Sequence, residues 1–213
     1  SFDIERGEVV GYVGPNGAGK STTIKMLTGI LVPTSGDINV SGLVPFKKRK
    51  ENARHIGVVF GQRTQLWWDL PVIESFQLLR RIYRIPSDNY KKNMEIFSEL
   101  LGINEFINTP VRKLSLGQRM RSDLAAALLH NPDILYLDEP TIGLDIVAKD
   151  KVRTFLKNIN SDRKTTILIS THDLSDVEKL CERMMIIDHG RIIYDGSVSQ
   201  IKHRYGKKRT LIA

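Results

Sequence analysis

The fold is decided by a glycine-rich loop with the sequence Gly14-Pro15-Asn16-Gly17-Ala18-Gly19-Lys20-Ser21. The loop follows a short apolar run, Val9–Val13, and precedes a segment whose apolar residues recur with helical spacing. A loop of this form between a strand and a helix cradles phosphates, because its glycines let backbone N–H groups turn inward and the helix dipole adds positive potential. The sequence therefore predicts a nucleotide-phosphate site here, and a glycine-rich turn without function is the alternative.

The residues of this loop have distinct predicted roles. Lys20 supplies an ammonium group to the β- and γ-phosphates, the Ser21 hydroxyl is placed to ligate Mg²⁺, and Thr22 bonds a phosphate oxygen. The cofactors that these roles imply are ATP and Mg²⁺. The predicted ATP-binding residues are Gly14, Pro15, Asn16, Gly17, Ala18, Gly19, Lys20, Ser21 and Thr22.

Two adjacent carboxylates end another predicted strand. The apolar run 134–137 is followed by Asp138, Glu139 and Pro140. Ligands of parallel sheets bind beyond the carboxyl ends of the strands, and adjacent strand residues point to opposite sides. We therefore expect Asp138 to hold Mg²⁺, directly or through water, and Glu139 to polarise the attacking water as a general base. A strand end that simply meets solvent is the alternative.

The distribution of apolar residues predicts the sheet. Short runs rich in valine and isoleucine recur along the chain, at Val9–Val13, Ile56–Phe60, 134–137, 166–169 and 184–187. Longer stretches with helical spacing separate them, which indicates an α/β fold, a P-loop NTPase core with a mostly parallel sheet. Residues 186–187 and 191–194, joined through Asp188-His189-Gly190, predict an antiparallel β portion near the C-terminus.

A helical region interrupts the valine-rich runs between about Gln65 and Leu114. Helical spacing over residues 73–83 and 90–101 predicts an inserted α-helical lobe. The predicted division is a nucleotide-binding core, residues 1–64 and 115–213, with the lobe at residues 65–114. The lobe positions expected to be buried are Leu79, Ile82, Met94, Phe97 and Leu101.

Composition narrows the class of protein only partly. A chain of 213 residues fits one large α/β domain or one domain with a small inserted lobe. The single cysteine, Cys181, predicts a buried thiol in a reducing compartment. The net charge of +8 is compatible with nucleic acid, anionic lipid or a small anionic ligand. The basic residues fall in local groups at 47–50, 80–84 and 203–209 and form no aromatic-interleaved stripe on which a nucleic-acid strand could stack. This favours a solvated surface, with phospholipid headgroups as the alternative.

A second motif carries a resemblance to a known family. The stretch Leu114-Ser115-Leu116-Gly117-Gln118 precedes an apolar helical pattern and resembles the L-S-G-G-Q signature of ATP-binding cassette (ABC) proteins. The resemblance covers nearly the whole chain. It includes a Q-loop glutamine at Gln62, a D-loop that ends at Asp145 and a switch histidine at His172.

The family resemblance implies further roles for these residues. The signature residues Ser115, Leu116, Gly117 and Gln118 would close over ATP held by a second domain, and Asp145 would belong to the D-loop. His172 would contact the γ-phosphate. The implied catalytic residues are Lys20, Gln62, Glu139 and His172, and the implied metal-binding residues are Ser21, Gln62 and Asp138. Leu116 stands where the family usually has glycine, so it either shifts the approach of the two domains or points away from nucleotide.

The implied partners are a second nucleotide-binding domain, in a homodimer or heterodimer, and a separate transmembrane permease. The subunit would hydrolyse ATP at the cytoplasmic face of the cell membrane, to which the permease holds it. The Pro-Asn-Gly of the phosphate loop and the segment 141–145 look most like single-domain bacterial exporter ATPases. Trp67 and Trp68 lie where the family receives a coupling helix of the permease, so we expect docking anchors there, with burial in the core as the alternative.

Two other functions are compatible with parts of the sequence. A soluble ABC ATPase of repair, chromosome maintenance or translation would use the basic charge to bind nucleic acid. Such proteins usually carry a coiled coil, zinc modules or two cassettes, so nucleic acid is the less favoured partner. A small-molecule kinase would leave the signature and His172 unexplained. The family also usually places an adenine-stacking aromatic residue in a strand upstream of the opening residues Ser1-Phe2-Asp3-Ile4. Its absence predicts either weak binding of the base or a truncated sequence, and the tail at 210–213 also looks cut short.

Overall fold

The computed structural model describes residues 1–61 and 63–205, and the side chains of these residues up to 201. Gln62, the side chains of the basic group at 203–209 and the tail at 210–213 lie outside the described residues. Among the described residues, none of the helices combines the length and the apolar character that crossing a bilayer requires.

Six strands form one mixed sheet in the order β2-β3-β4-β1-β5-β6. Neighbours among β1 to β5 pair in parallel, whereas β6 pairs with β5 in the antiparallel direction. This confirms the predicted fold class and the hairpin through Asp188-His189-Gly190. The strands are β1 Val9–Val13, β2 Ile56–Phe60, β3 Ile134–Asp138, β4 Thr166–Thr171, β5 Arg183–Asp188 and β6 Arg191–Ser197.

Eight α-helices and two short 3-10 turns, Ile103–Glu105 and Val111–Lys113, connect the strands of the described chain. Three of the helices begin at side chains that cap them: Ser115 caps α5, Asp145 caps α6 and Asp173 caps α7. The helices are α1 Lys20–Leu27, α2 Arg49–His55, α3 Val72–Ile82, α4 Ser87–Leu101, α5 Leu116–Leu128, α6 Ile146–Arg163, α7 Leu174–Leu180 and α8 Val198–Tyr205.

The sheet separates two apolar clusters, because alternate residues of a strand point to opposite faces. On β3, Leu135 and Leu137 join the larger cluster with α4, α5 and α6, while Tyr136 faces the smaller cluster around Ile24 of α1. Both faces of the parallel strands are therefore covered, which explains their nearly continuous apolar sequences. Cys181 is buried in the larger cluster, as expected.

The helical region between β2 and α5 packs onto the same core. Phe97 of α4 is fully buried and meets Phe155 of α6 edge-on, with ring centroids 6.0 Å apart. Leu101 is also buried, and Leu79 and Met94 are partly buried against this cluster. The expected burial of Ile82 is wrong: its side chain is 59% exposed. It lies in the last turn of α3, at the margin of the buried face that Val72 and Phe76 define.

Strand register brings the ends of four strands to one edge of the sheet. Val13 at the end of β1 is paired with Thr171 at the end of β4, and Asp138 at the end of β3 is paired with both Ser170 and Phe60. The phosphate loop, the acidic pair and the segment around His172 follow these strands directly. They therefore emerge side by side, at the edge where ligands of parallel sheets bind.

The packing of α4 on α6 predicts the effect of truncating Phe97. The Phe97→Ala variant removes a fully buried ring and leaves a cavity against Phe155, so it should lower the free energy of unfolding by about 3–5 kcal/mol. Denaturant unfolding measures this loss. Leu78→Ala is the matched control, because Leu78 lies on the exposed side of α3. A loss at Phe97 no larger than that at Leu78 would contradict the proposed packing.

Candidate active site

The phosphate loop forms an open cradle at the start of α1. Gly17 and Gly19 have φ angles of 84° and 107°, a region that residues with a Cβ atom rarely adopt. At Gly14 space is the constraint, since a Cβ atom there would lie 2.3 Å from the Ile187 carbonyl oxygen. The backbone N–H groups of the first turn of α1 have no acceptor within the helix, so they remain available to an anion.

Lys20 is turned into this loop. Its side chain is only 6% exposed, and Nζ donates to the carbonyl oxygens of Gly14 at 2.6 Å and Pro15 at 3.2 Å. Nζ also lies 3.4 Å from Glu139 Oε1. The ammonium group is therefore held at the mouth of the loop by oxygen atoms, at the position where phosphate oxygens would meet it.

Glu139 joins Lys20 to His172. His172 Nδ1 lies 2.8 Å from Glu139 Oε2, and Nδ1 is the donor because an ionised carboxylate can only accept. Glu139 Oε1 is buried and accepts no hydrogen bond from the described residues, despite the nearby Lys20 ammonium. Glu139 also has a positive φ of 55°, which turns the chain sharply after β3. The structure thus gathers Lys20, Glu139 and His172, which are distant in sequence, into one cluster.

Asp138 lies beside this cluster but points elsewhere. It is 9% exposed, and its Oδ1 accepts a hydrogen bond of 2.5 Å from the Ser170 hydroxyl on β4. No group of three or more His, Cys, Asp or Glu side chains that could hold a metal ion occurs within the described ranges. Ser21, in the first turn of α1, is partly exposed.

A buried polar network supports the loops around the cluster. Asp176 of α7 is fully buried, pairs with Arg153 of α6 and accepts a hydrogen bond from the Thr141 hydroxyl. Asp173, next to His172, bonds Lys149 of α6 at 3.0 Å. Hydrogen bonds from Ser175 and Lys149 lower the pKa of Asp173 to about 2. Helix α6 therefore fixes both the loop after Glu139 and the start of α7.

The signature residues begin helix α5. Ser115 forms a capping box with Gln118: the Ser115 hydroxyl accepts from the Gln118 N–H, and the Gln118 side chain accepts from the Ser115 N–H. A Cβ atom on Gly117 would approach Ala148 of α6 to 3.1 Å. The start of α5 therefore packs against the start of α6, which Asp145 caps through the Ala148 N–H at 2.8 Å.

Leu116 points into its own chain. A Cβ atom built on Gly143 would lie 2.9 Å from Leu116 Cδ2, so the leucine fills the space over this glycine of the D-loop. Gly143 has a φ of 71°, a conformation suited to glycine. Leu116 therefore packs against Gly143 of its own chain.

Gln62 lies outside the described residues, but the segment that follows it is anchored to α5. Asp123 of α5 is 3% exposed, and its Oδ1 accepts hydrogen bonds from the Thr64 hydroxyl at 2.8 Å and the Gln65 N–H at 3.0 Å. Burial raises the pKa of Asp123 to about 6, although these bonds and the charge of Arg119 oppose the shift. Trp67 and Trp68 are 39% and 48% exposed, so the core role does not apply to either.

Several residues that support the site escaped sequence reasoning. Ser170, Asp123 and Asp176 each contact a partner far away in the sequence, and no local motif marks such a pair. The only sequence signal is an acidic residue on an otherwise apolar helix face, as at Asp123 within the alanine- and leucine-rich part of α5. Such a residue is rarely buried unless it is paired.

Comparisons with known proteins agree with this geometry. The family model described as ABC transporter matches residues 1–142. The chain is 37% identical over 201 residues to the ABC transporter ATP-binding protein NatA of Bacillus subtilis, which covers 94% of this chain and 81% of NatA. It is 36% identical over 208 residues to the Nod factor export ATP-binding protein I of Ralstonia nicotianae, covering 97% of this chain and 64% of that protein. Other relatives include a protein named for methionine import.

A solved structure matches the fold over most of its length. The dimeric post-hydrolysis state of the ATP-binding cassette MJ0796, bound to ADP and Pi, superposes with a TM-score of 0.81 at 28% identity. The match covers 92% of this chain and 88% of that one.

The raised pKa of Asp123 predicts a pH dependence of stability. Between 3.8 and about 6, the folded chain holds a proton on Asp123 that the unfolded chain has released, so the free energy of unfolding falls as pH rises. The contribution is at most about 3 kcal/mol, since one pKa unit corresponds to about 1.4 kcal/mol.

The Asp123→Asn variant isolates this contribution because the amide cannot ionise. Its stability relative to wild type should rise between about pH 4 and pH 6 and then level off. Denaturant unfolding of both proteins across this range measures the difference. A difference that stays constant with pH would contradict the assignment.

Proposed function

Because this chain belongs to the ABC transporter family, we propose that it is the subunit that binds and hydrolyses ATP to drive a membrane exporter. The observation that carries the hydrolytic role is the cluster of Lys20, Glu139 and His172 beside the open phosphate loop. Export is the direction that the Pro-Asn-Gly of the phosphate loop and the segment 141–145 favour through their resemblance to exporter ATPases.

In this proposal, the triphosphate binds across the start of α1. The backbone N–H groups of the first turn and the residues 14–22 surround the β- and γ-phosphates, and the Lys20 ammonium turns from the loop carbonyls to a phosphate oxygen. This exchange leaves Lys20 paired with oxygen throughout, so the buried charge never loses its partners. Thr22 is exposed at the same helix start, where its hydroxyl can reach a phosphate oxygen.

Hydrolysis uses Glu139 Oε1, the oxygen that lies 3.4 Å from the Lys20 ammonium. Oε1 is buried and accepts no hydrogen bond from the described residues, so it is available to take a proton from the attacking water. His172 holds the other oxygen at 2.8 Å, which fixes the carboxylate, and it lies where the γ-phosphate would project. Gln62 completes the proposed catalytic set.

The proposed magnesium ligands are the Ser21 hydroxyl, Asp138 and Gln62. The donor set fits a hard cation, since all of these groups offer oxygen. The ion would neutralise the charge of the β- and γ-phosphates. The Ser170 hydroxyl holds Asp138 in place at the end of β3.

A second nucleotide-binding domain completes the site. We assign Ser115, Gly117 and Gln118, at the start of α5, to the γ-phosphate of the partner domain. The Ser115 hydroxyl accepts the capping bond, so its own hydrogen remains free for a phosphate oxygen. The helix dipole of α5 adds positive potential at the same point. The partner is either a copy of this chain or a homologue.

The permease would bind through the residues after β2. Trp67 and Trp68 are the exposed aromatic side chains of this segment, and aromatic residues are enriched among interface anchors. In this proposal residues 65–114 form a lobe that receives the permease, while residues 1–64 and 115–213 hold the nucleotide. The permease would also place the subunit at the cytoplasmic face of the membrane.

Substitution of Glu139 tests the hydrolytic role. The Glu139→Gln variant keeps the shape of the side chain but loses the base, so turnover should fall at least about 100-fold while ATP still binds. Steady-state phosphate release measures turnover, and size-exclusion chromatography with MgATP should show a stable dimer that MgADP does not give. Glu99→Gln, an exposed glutamate of α4, is the matched control. Unchanged phosphate release from Glu139→Gln would remove Glu139 from its role.

Substitution of the two tryptophans tests the permease contact. Trp67→Ala and Trp68→Ala should each weaken co-purification with the permease by about 30-fold, the effect of losing an anchor worth about 2 kcal/mol. Their melting temperatures should change little, because both side chains are substantially exposed. Ile193→Ala, an exposed apolar side chain on β6, is the control. A large drop in melting temperature with co-purification intact would show that the tryptophans stabilise the fold instead.

A further inference from the structure

The segment that carries the tryptophans is held mainly by the helix that carries the signature. We name residues 64–70 the docking segment. Its first residues bond Asp123 through the Thr64 hydroxyl and the Gln65 N–H, and the Gln65 side chain also donates to the Asp123 carbonyl oxygen at 3.0 Å. One side chain of α5 therefore fixes the start of this segment.

The remainder of the docking segment bonds the residues that lead into α5. The Arg112 N–H donates to the Trp68 carbonyl at 3.0 Å, and the Val111 N–H donates to the Leu70 carbonyl at 3.1 Å. Arg119, one helical turn before Asp123, places its guanidinium 4.8 Å from the ring centre of Trp68. Most of the bonds that the docking segment makes to other parts of the chain are therefore made to residues 111–123. In addition, the Trp67 N–H donates to the hydroxyl of Ser75 on α3 at 3.3 Å.

Helix α5 links this anchor to the signature mechanically. Ser115 caps the helix, and Asp123 lies eight residues further along, about 12 Å at the rise of an α-helix. The helix is regular between them, so a shift of its start when a partner's nucleotide engages Ser115 displaces Asp123 as well. The hydrogen bonds of Asp123 carry that displacement into the docking segment.

We propose that Asp123 is a positioning residue that couples the signature helix to the permease-docking segment. The proposal rests on the proposed function, since it assigns the path by which nucleotide closure reaches the permease. Its support is geometric: the buried carboxylate of Asp123 accepts hydrogen bonds from the docking segment and not from its own helix. An alanine at this position would remove the acceptor of the Thr64 hydroxyl and the Gln65 N–H, and so release the start of the segment from the side chain of α5.

The test measures how strongly the permease stimulates ATP hydrolysis by the full subunit, co-produced with its permease and reconstituted in liposomes. We expect Asp123→Ala to lower the stimulated kcat at least tenfold while the KM for ATP changes less than twofold, because the residue does not touch nucleotide. Asp123→Asn keeps an acceptor oxygen for Thr64 and Gln65 and should retain at least half of the stimulation. Asp162→Ala, an exposed aspartate at the end of α6, is the matched control and should match wild type.

A double substitution identifies the partner of Asp123. Thr64→Val removes one of the donors and should lower the stimulation by itself. The double variant Thr64→Val/Asp123→Ala should show no less stimulation than Asp123→Ala alone, since both changes break the same bond. Losses that multiply in the double variant would show that Thr64 and Asp123 act separately and would overturn the proposed link.

The remaining outcomes separate this proposal from the function on which it rests. If the permease stimulates the Asp123→Ala variant as strongly as wild type, the coupling role alone is overturned. A loss of stimulation as large in Asp123→Asn as in Asp123→Ala would also overturn it, since the acceptor would then be irrelevant. A KM for ATP that rises in step with the loss would assign Asp123 to nucleotide binding instead. If wild-type subunit and permease do not form a complex that hydrolyses ATP, the proposed function fails.

Discussion

The site depends on one constraint, the shared edge at which β1, β3 and β4 end. Val13 pairs with Thr171 and Asp138 with Ser170, so the segments that follow these strands start level with one another. A shift of one residue between β3 and β4 would turn Asp138 away from Ser170 and move Glu139 relative to His172, because side chains alternate across a strand. Such a shift would also exchange the two faces of β3, taking Leu135 and Leu137 out of the larger apolar cluster and Tyr136 out of the smaller one. The packing on both faces of β3 therefore determines how Lys20, Glu139 and His172 meet.

Electrostatics then decide what this edge can bind. Lys20 is nearly buried, and its charge is balanced by two carbonyl oxygens and Glu139. A buried charge that loses its partner is strongly destabilising, and here oxygen atoms of the chain itself satisfy Lys20. Phosphate oxygens are partners of the same kind and carry more negative charge. Lys20 can therefore exchange the oxygen atoms of the chain for those of a phosphate without ever being left unpaired. The exposed N–H groups of the first turn of α1 have no such internal substitute, and they favour the anion directly.

Sequence reasoning can identify a feature that resides in one contiguous motif, but not one that depends on a pair of residues distant in the sequence. The loop that ends at Lys20 and the carboxylates after β3 are marked by local patterns, and the strands between them by continuous apolar runs. Asp123 bonds Thr64 across 59 positions and Asp176 bonds Thr141 across 35, and nothing within either segment encodes its partner. Ile82 was misplaced for a related reason: helical spacing gives a face, but only packing defines the margin of that face.

Leu116 shows how a departure from a motif can be absorbed by the same chain. The leucine occupies the space over Gly143, where even a methyl group would come within 2.9 Å of it. Two constraints therefore favour glycine at position 143: its positive φ and the leucine side chain packed over it. A Cβ atom on Gly117 would likewise approach Ala148 of α6 to 3.1 Å, so the starts of α5 and α6 are closely packed. Within the chain, Leu116 thus packs the start of α5, which Ser115 caps, against Gly143.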